Sequence, residues 1–110
     1  MSATPTSKAS GSQTASIDTE HTLSTITDAG VYVLSVDCGN LVNGDRVIFR
    51  MKTKIRSGDT SRIAYEATYE HALAEPNIYS IPVATIAELV CTLEQKAGTG
   101  RAFPWNILAI

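Results

Sequence analysis

A chain of 110 residues, 44% hydrophobic and 18% charged, has room for one domain and one modest core. Its formal net charge of -2 argues against a general polyanion binder, which is expected to be basic. No apolar run reaches the length of a membrane span, and "MSATPTSKASGSQTAS" lacks the apolar centre of a signal peptide, so neither a membrane partner nor export is expected.

Residues 1–16 hold eight Ser or Thr, three Ala and one charged residue, Lys8. Such a segment offers too little apolar surface to offset its ordering entropy. The prediction is a flexible N-terminal arm over residues 1–18 that is ordered by a neighbouring chain. Thr4, Thr6, Lys8 and Thr14 are its candidate partner contacts.

From residue 19 to 110 the pattern is short segments separated by turn signals, the mark of a β domain. "TEHTLSTI" alternates weakly, "TDAG" turns, and "VYVLSV" is rich in β-branched and aromatic residues. "DCGNLVNGD" reads as a loop closed by residues tolerant of positive φ. "RVIFRMKTKIR" follows, with Arg46, Arg50, Lys52, Lys54 and Arg56 all at even positions. Period 2 sends Val47, Phe49, Met51, Thr53 and Ile55 inward and the basic row outward. After the "SGDT" turn, "SRIAYEATYE" sends Ile63, Tyr65, Ala67 and Tyr69 inward and Glu66 and Glu70 outward. A three-residue loop pairs Arg50 with Glu66 and Arg46 with Glu70; a five-residue loop pairs Lys52 with Glu66. Either register sets opposite charges across an antiparallel ladder. The basic row is therefore mainly a solvated sheet face, and each exposed pair contributes about 0–1 kcal/mol. Lys52, Lys54 and Arg56 are also candidate contacts for an acidic partner. Direct nucleic-acid binding is not expected, because no exposed aromatics interleave the row.

"EPNIYSIPV" is a short strand broken by proline and belongs at an edge. Residues 85–96, "TIAELVCTLEQK", carry two signals. Ile86, Leu89, Val90 and Leu93 have helical spacing, and Thr85 with Glu88 makes a capping box. The strand reading puts Leu89, Cys91 and Leu93 on one face and suits the surrounding β segments. It is adopted, with "AGTG" as a hairpin loop into "RAFPWNILAI". In that register Leu93 faces Trp105, Cys91 faces Ile107 and Leu89 faces Ala109. Trp105 is then a buried anchor, and the apolar end at Ile110 packs inside the domain or against another subunit.

The chain shows no grouped nucleophile, base and acid, and no HExxH, GxSxG or phosphate-binding loop. His21 and His71 stand alone. Asp37, Asn40, Asn43 and Asp45 match no calcium-loop spacing and are read as turn residues. Cys38 and Cys91 form no metal-binding motif; two reduced, partly buried thiols are expected, with a disulfide between them as the alternative. No catalytic residue, metal or cofactor is assigned.

From Leu23 to Ile110 the chain resembles a group of small structural proteins of tailed bacteriophages. The resemblance lies in "DAGVYVLSVDCGNLVNGDRVIFRMKTKIRSGDTSRIAY" and "LEQKAGTGRAFPWNILAI". There a strand of alternating basic residues leads through a Ser-Gly turn into an R-x-A-Y strand, and a closing "GTGRAFPW" hairpin ends the chain. The resemblance implies an all-β, two-sheet antiparallel β-sandwich, jelly-roll or Ig-like, of about seven or eight strands, with the extended arm outside it. It implies a non-enzymatic virion component, foremost a capsid decoration or cement protein. Its partners would be the major capsid protein or neck and tail proteins, and other copies of itself. A neck or tail accessory protein is the alternative within the class. A small carbohydrate-binding module is the alternative outside it, and that reading requires exposed aromatics among Tyr32, Tyr65, Tyr69 and Tyr79.

Overall fold

The computed structural model describes residues 4–110. Nine strands follow in chain order: β1 (Thr6–Thr14), β2 (Glu20–Ile26), β3 (Gly30–Asp37), β4 (Arg46–Lys54), β5 (Arg62–Glu70), β6 (Asn77–Tyr79), β7 (Val83–Thr85), β8 (Glu88–Ala97) and β9 (Ala102–Ala109). They form two antiparallel sheets, ordered β1-β9-β3-β6 with β7 also on β3, and β2-β8-β4-β5. The all-β, two-sheet expectation holds, with more strands than the seven or eight expected. One addition is the arm itself. The other is the break at Ser80–Pro82, which splits the predicted edge segment into β6 and β7, both on β3.

The arm is a correction. Residues 6–14 form edge strand β1, paired to β9 from Thr6↔Ala109 to Thr14↔Ala102. Composition misses this because the strand is held by backbone bonds and local fits, not by burial of apolar side chains. Ser7 Oγ donates to Asn106 Oδ1 at 2.7 Å, and Lys8, in a bulge, pairs with Asp28. Gly11 lies under Trp105, where a Cβ would sit 3.1 Å from the indole.

Strand alternation fills the core. Val47, Phe49 and Met51 of β4, Leu89, Cys91 and Leu93 of β8, and Phe103 and Ile107 of β9 are all at most 1% exposed. Two residues expected inside are not there. Ile55 follows the last residue of β4 and is 80% exposed. Ile63 lies beyond a bulge opposite Met51 and Lys52 and is 52% exposed. The three-residue-loop register holds away from the turn, with Arg46↔Glu70 and Arg50↔Glu66, and the bulge shifts it to Lys52↔Ile63 near the turn.

Residues 88–97 are a strand, as read. The apparent capping box serves a turn instead: Thr85 Oγ1 accepts from Glu88 N at 3.2 Å and donates to Glu88 O at 2.8 Å between β7 and β8. The predicted β8–β9 hairpin is a second correction. β8 pairs with β2 and β4, whereas β9 pairs with β1 and β3. "AGTG" therefore carries the chain from one sheet to the other. The Leu93–Trp105, Cys91–Ile107 and Leu89–Ala109 ladder does not form. Its members meet in the core from opposite sheets, and Trp105 is half-buried at the core's margin.

A polar clamp shapes this crossover. The fully buried Gln95 donates through Nε2 to Ala97 O (2.9 Å) and Thr99 O (2.8 Å), and its Oε1 accepts from Arg101 N (3.0 Å). Asp45 Oδ2 accepts from Val42 N at 3.0 Å and Arg101 Nε at 2.8 Å. Burial pushes the Asp45 carboxyl up, but Arg101 and the amides of Val42 and Thr99 outweigh it and hold it below the usual carboxylate value. Gly98 has φ 90°, and a Cβ there would sit 1.8 Å from Asp45 Oδ1; one on Gly100 would sit 2.1 Å from Ala15 O. Both cysteines are free and buried, and burial pushes each thiol up to about 12.

Gly98→Ala is expected to cost about 3–4 kcal/mol, because it adds a side chain at positive φ and displaces a buried ion pair; a denaturant melt measures it. The folded Asp45 pKa lies below the unfolded value near 3.9. Its stabilisation is thus complete above about pH 4 and lost as pH falls through the folded value. Asp45→Asn is expected to be less stable than the parent at pH 7 and to show a flatter loss of melting temperature between about pH 4 and 2. A slope equal to the parent's would show that Asp45 does not carry this acid sensitivity. Thiol reagents are expected to label Cys38 and Cys91 only after unfolding.

Candidate interaction surfaces

β4 lays its basic row on the outer face of the four-stranded sheet, and the three other strands of that sheet bring carboxylates to it. Arg50 is the hub: Nε meets Glu66 at 2.6 Å on β5, and Nη1 meets Glu94 at 2.9 Å on β8 and Glu20 at 3.3 Å on β2. Glu66 and then Glu94 hold the Arg50 proton more tightly, and Arg50 in turn holds Glu94 below the usual carboxylate range. Lys52 reaches Glu20 at 3.0 Å, and Lys54 approaches Glu88 at 3.8 Å. Lys96 joins Asp18 at 3.0 Å and Glu94 at 3.3 Å. Arg56 pairs with Asp59 inside the β4–β5 turn at 3.1 Å and stays 81% exposed.

The strand registers show where the seven candidate contacts lie. The starts of β1, β3, β5 and β8 and the ends of β2, β4, β7 and β9 meet at one end of the sandwich. Thr6 and Lys8, with Thr4 just before them, lie at this end; so do Lys54 and Arg56. Lys52 sits further in on the sheet face, opposite Val90. Thr14, opposite Ala102, lies at the far end.

The same end carries an apolar patch. Val31, Ile55, Ala84 and Ile86 line one cleft there, and Ile55, Ile63 and Ala64 line the next. Ile110 donates its backbone amide to Val31 O beside them. Exposures run from 37% at Val31 through 52% at Ile63 and 54% at Ile110 to 74% at Ile86 and 80% at Ile55. Alternation missed this patch because its isoleucines fall just outside ladders or at a bulge; Val31 and Ala84 pair within the β3–β7 ladder. The remaining signal is the isoleucine in each turn, "KIR" and "TIA".

Other polar residues are engaged in turns. His21 Nε2 accepts from Ser16 N at 3.0 Å, and His71 Nδ1 accepts from Gly44 N at 2.9 Å. Asp37 Oδ1 accepts from Gly39 N, Asn40 donates to Ala102 O, and Asn43 accepts from Ala72 N. Among the described residues, no three His, Cys, Asp or Glu side chains gather as a metal site. No family model, curated protein or solved structure matches the chain.

Arg50 bonds three carboxylates from a side chain only 17% exposed, so its loss matters more than that of an ordinary surface pair. Arg50→Ala is expected to cost about 2 kcal/mol, and Lys52→Ala under about 1 kcal/mol. Urea denaturation compares the two; equal midpoints would show that Arg50 is not the hub.

Proposed function

We propose that this chain is a non-enzymatic structural component of a tailed-phage virion, a decoration or cement protein that binds shell subunits end-on. The observation that carries the adhesive reading is the clustering at one end of the sandwich. Four exposed isoleucines and Val31 form an apolar centre there, and Thr4, Thr6, Lys8, Lys54 and Arg56 stand at the same end. A desolvating centre with a polar, charged rim is the anatomy of a protein-binding patch. The rim is charged but internally paired, Lys8 with Asp28, Lys54 with Glu88 and Arg56 with Asp59, and suits a border of mixed charge on the partner. The resemblance of the 23–110 segment supplies the virion setting. A symmetric shell would multiply a modest contact by avidity.

The test uses Ile55→Asp/Ile86→Asp. Both side chains are exposed, so the variant is expected to melt within about 1 kcal/mol of the parent. It is expected to lose cosedimentation with phage particles that lack the native protein. A Lys52/Lys54/Arg56→Glu variant is expected to fold and bind weakly, with the deficit largest at low salt. Normal incorporation of the isoleucine variant would overturn end-on docking.

A further inference from the structure

The outer face of the five-stranded sheet carries a different kind of site, away from the apolar end. Two rows of side chains cross it in register. One row runs Ser10, Asn106, Ser35 and Tyr79. In the next, Ser12 stands beside Pro104 and Asp37 beside Asn77. Ser35 is the small residue in the middle, and its hydroxyl is turned down onto Asn106 O at 2.9 Å. Larger neighbours stand around it and border an open cleft of about 260 Å³. Tyr79 stands on one side with 63% of its surface exposed.

We propose that this cleft is a subsite for one ring of a neutral saccharide. The chemistry of the lining selects that class. Asn106 Oδ1 is occupied by Ser7, which leaves its Nδ2 to donate. Asp37 Oδ1 is occupied by Gly39 N, which leaves Oδ2 to accept. Asn77 and Tyr79 line the cleft with them. A ring bearing several hydroxyls matches this mixed set of donors and acceptors. Its apolar C–H face matches the open ring of Tyr79, a side chain with an apolar body and a polar tip. Asp37 is the one ionised group in the lining, so phosphates, sulfates and acidic sugars are repelled, and no cation is present to hold a nucleic-acid backbone. The polar rows disfavour a lipid. The volume lies just under the usual range for small-molecule pockets, which suits a single ring. Of the four tyrosines, Tyr65 and Tyr69 are half-buried against the core and Tyr32 is fully buried, so Tyr79 is the available platform.

The site is independent of end-on docking, and the two stand or fall separately. Trp105 is the sole tryptophan; its backbone runs between Pro104 and Asn106 beneath the cleft while its ring packs on the core side, so its fluorescence is a secondary readout beside the amides. The experiment titrates the full chain with methyl glycosides of glucose, galactose, mannose, N-acetylglucosamine and N-acetylgalactosamine. It follows Trp105 fluorescence and the backbone amide shifts of Ser35, Asp37 and Asn77. The expected result is saturable binding of at least one glycoside, with a dissociation constant of about 1–10 mM for a single open subsite. Tyr79→Ala and Asp37→Asn, which keeps the Gly39 bond, are each expected to weaken it about tenfold or more with melting temperatures kept, and Ile55→Asp/Ile86→Asp is expected to leave it unchanged. Three results would overturn the proposal: no saturable change by either readout, equal affinity in Tyr79→Ala, or saturation by adenosine and by no glycoside.

Discussion

The join between the two sheets depends on one buried polar node. Asp45 comes from the loop before β4, Gln95 from near the end of β8, and Arg101 from the end of the crossover, just before β9. Together they fix a four-residue passage that must leave one sheet and enter the other without stranding its amides and carbonyls. Removing a partner would leave a buried carboxylate or a buried side-chain amide unsatisfied, which costs more than the bonds add. The node also dictates two glycines. Asp45 occupies the space of a Gly98 side chain, and the Ala15 carbonyl occupies that of Gly100. The latter contact reaches the arm: Ala15 N donates to Arg101 O at 2.9 Å, so the chain leaving β1 is tied to the same crossover. The placement of both glycines and the seating of the N-terminal strand thus converge on the same crossover.

The outer face of the four-stranded sheet is governed by a different balance. Five basic residues within eleven positions would repel one another on an isolated strand. Here β4 is an inner strand, flanked by β8 and β5, with β2 beyond β8. Glu20, Glu66, Glu88 and Glu94 are therefore delivered from three elements far apart in sequence. The face becomes a two-dimensional lattice of opposite charges centred on Arg50, whose planar fork can serve several carboxylates at once. Lys54 and Arg56 lie at the margin of that lattice and border the apolar end.

What could be read from the sequence follows the range of each signal. Alternation is local, so the inward rows of β4 and β8 and the hairpin pairing of Arg50 with Glu66 were legible. Three features were not, for three physical reasons. β1 is stabilised by backbone pairing to β9 about a hundred residues away, and composition carries no trace of such a partner. "AGTG" has the residues of a hairpin loop, but whether a glycine turn returns the chain to the same sheet or passes it to the other depends on which distant strands its flanks pair with, and here β8 pairs with β2 and β4 while β9 pairs with β1 and β3. The Thr85–Glu88 pair is a helix cap in one backbone context and a turn staple in another, because the same hydroxyl serves either geometry. The apolar end and the cleft around Ser35 are made by residues from separate strands, and only the registers bring them together.

Those registers also give the molecule a direction. The apolar end gathers Val31, at the start of β3, with Ile55 and Ile86, which lie beyond the last residues of β4 and β7. The cleft is built from the final residues of β3, together with β6 and the middle of β9, and so lies toward the opposite end. A body seated by its apolar end would hold the cleft away from the surface beneath it. Strand direction alone enforces this separation: in β3, Val31 and Asp37 are six residues apart on the same outer face, which at about 3.3 Å per residue is roughly 20 Å. A partner large enough to cover the isoleucines can leave Tyr79 open to solvent, so the proposed docking end and the proposed saccharide subsite are geometrically compatible in one molecule.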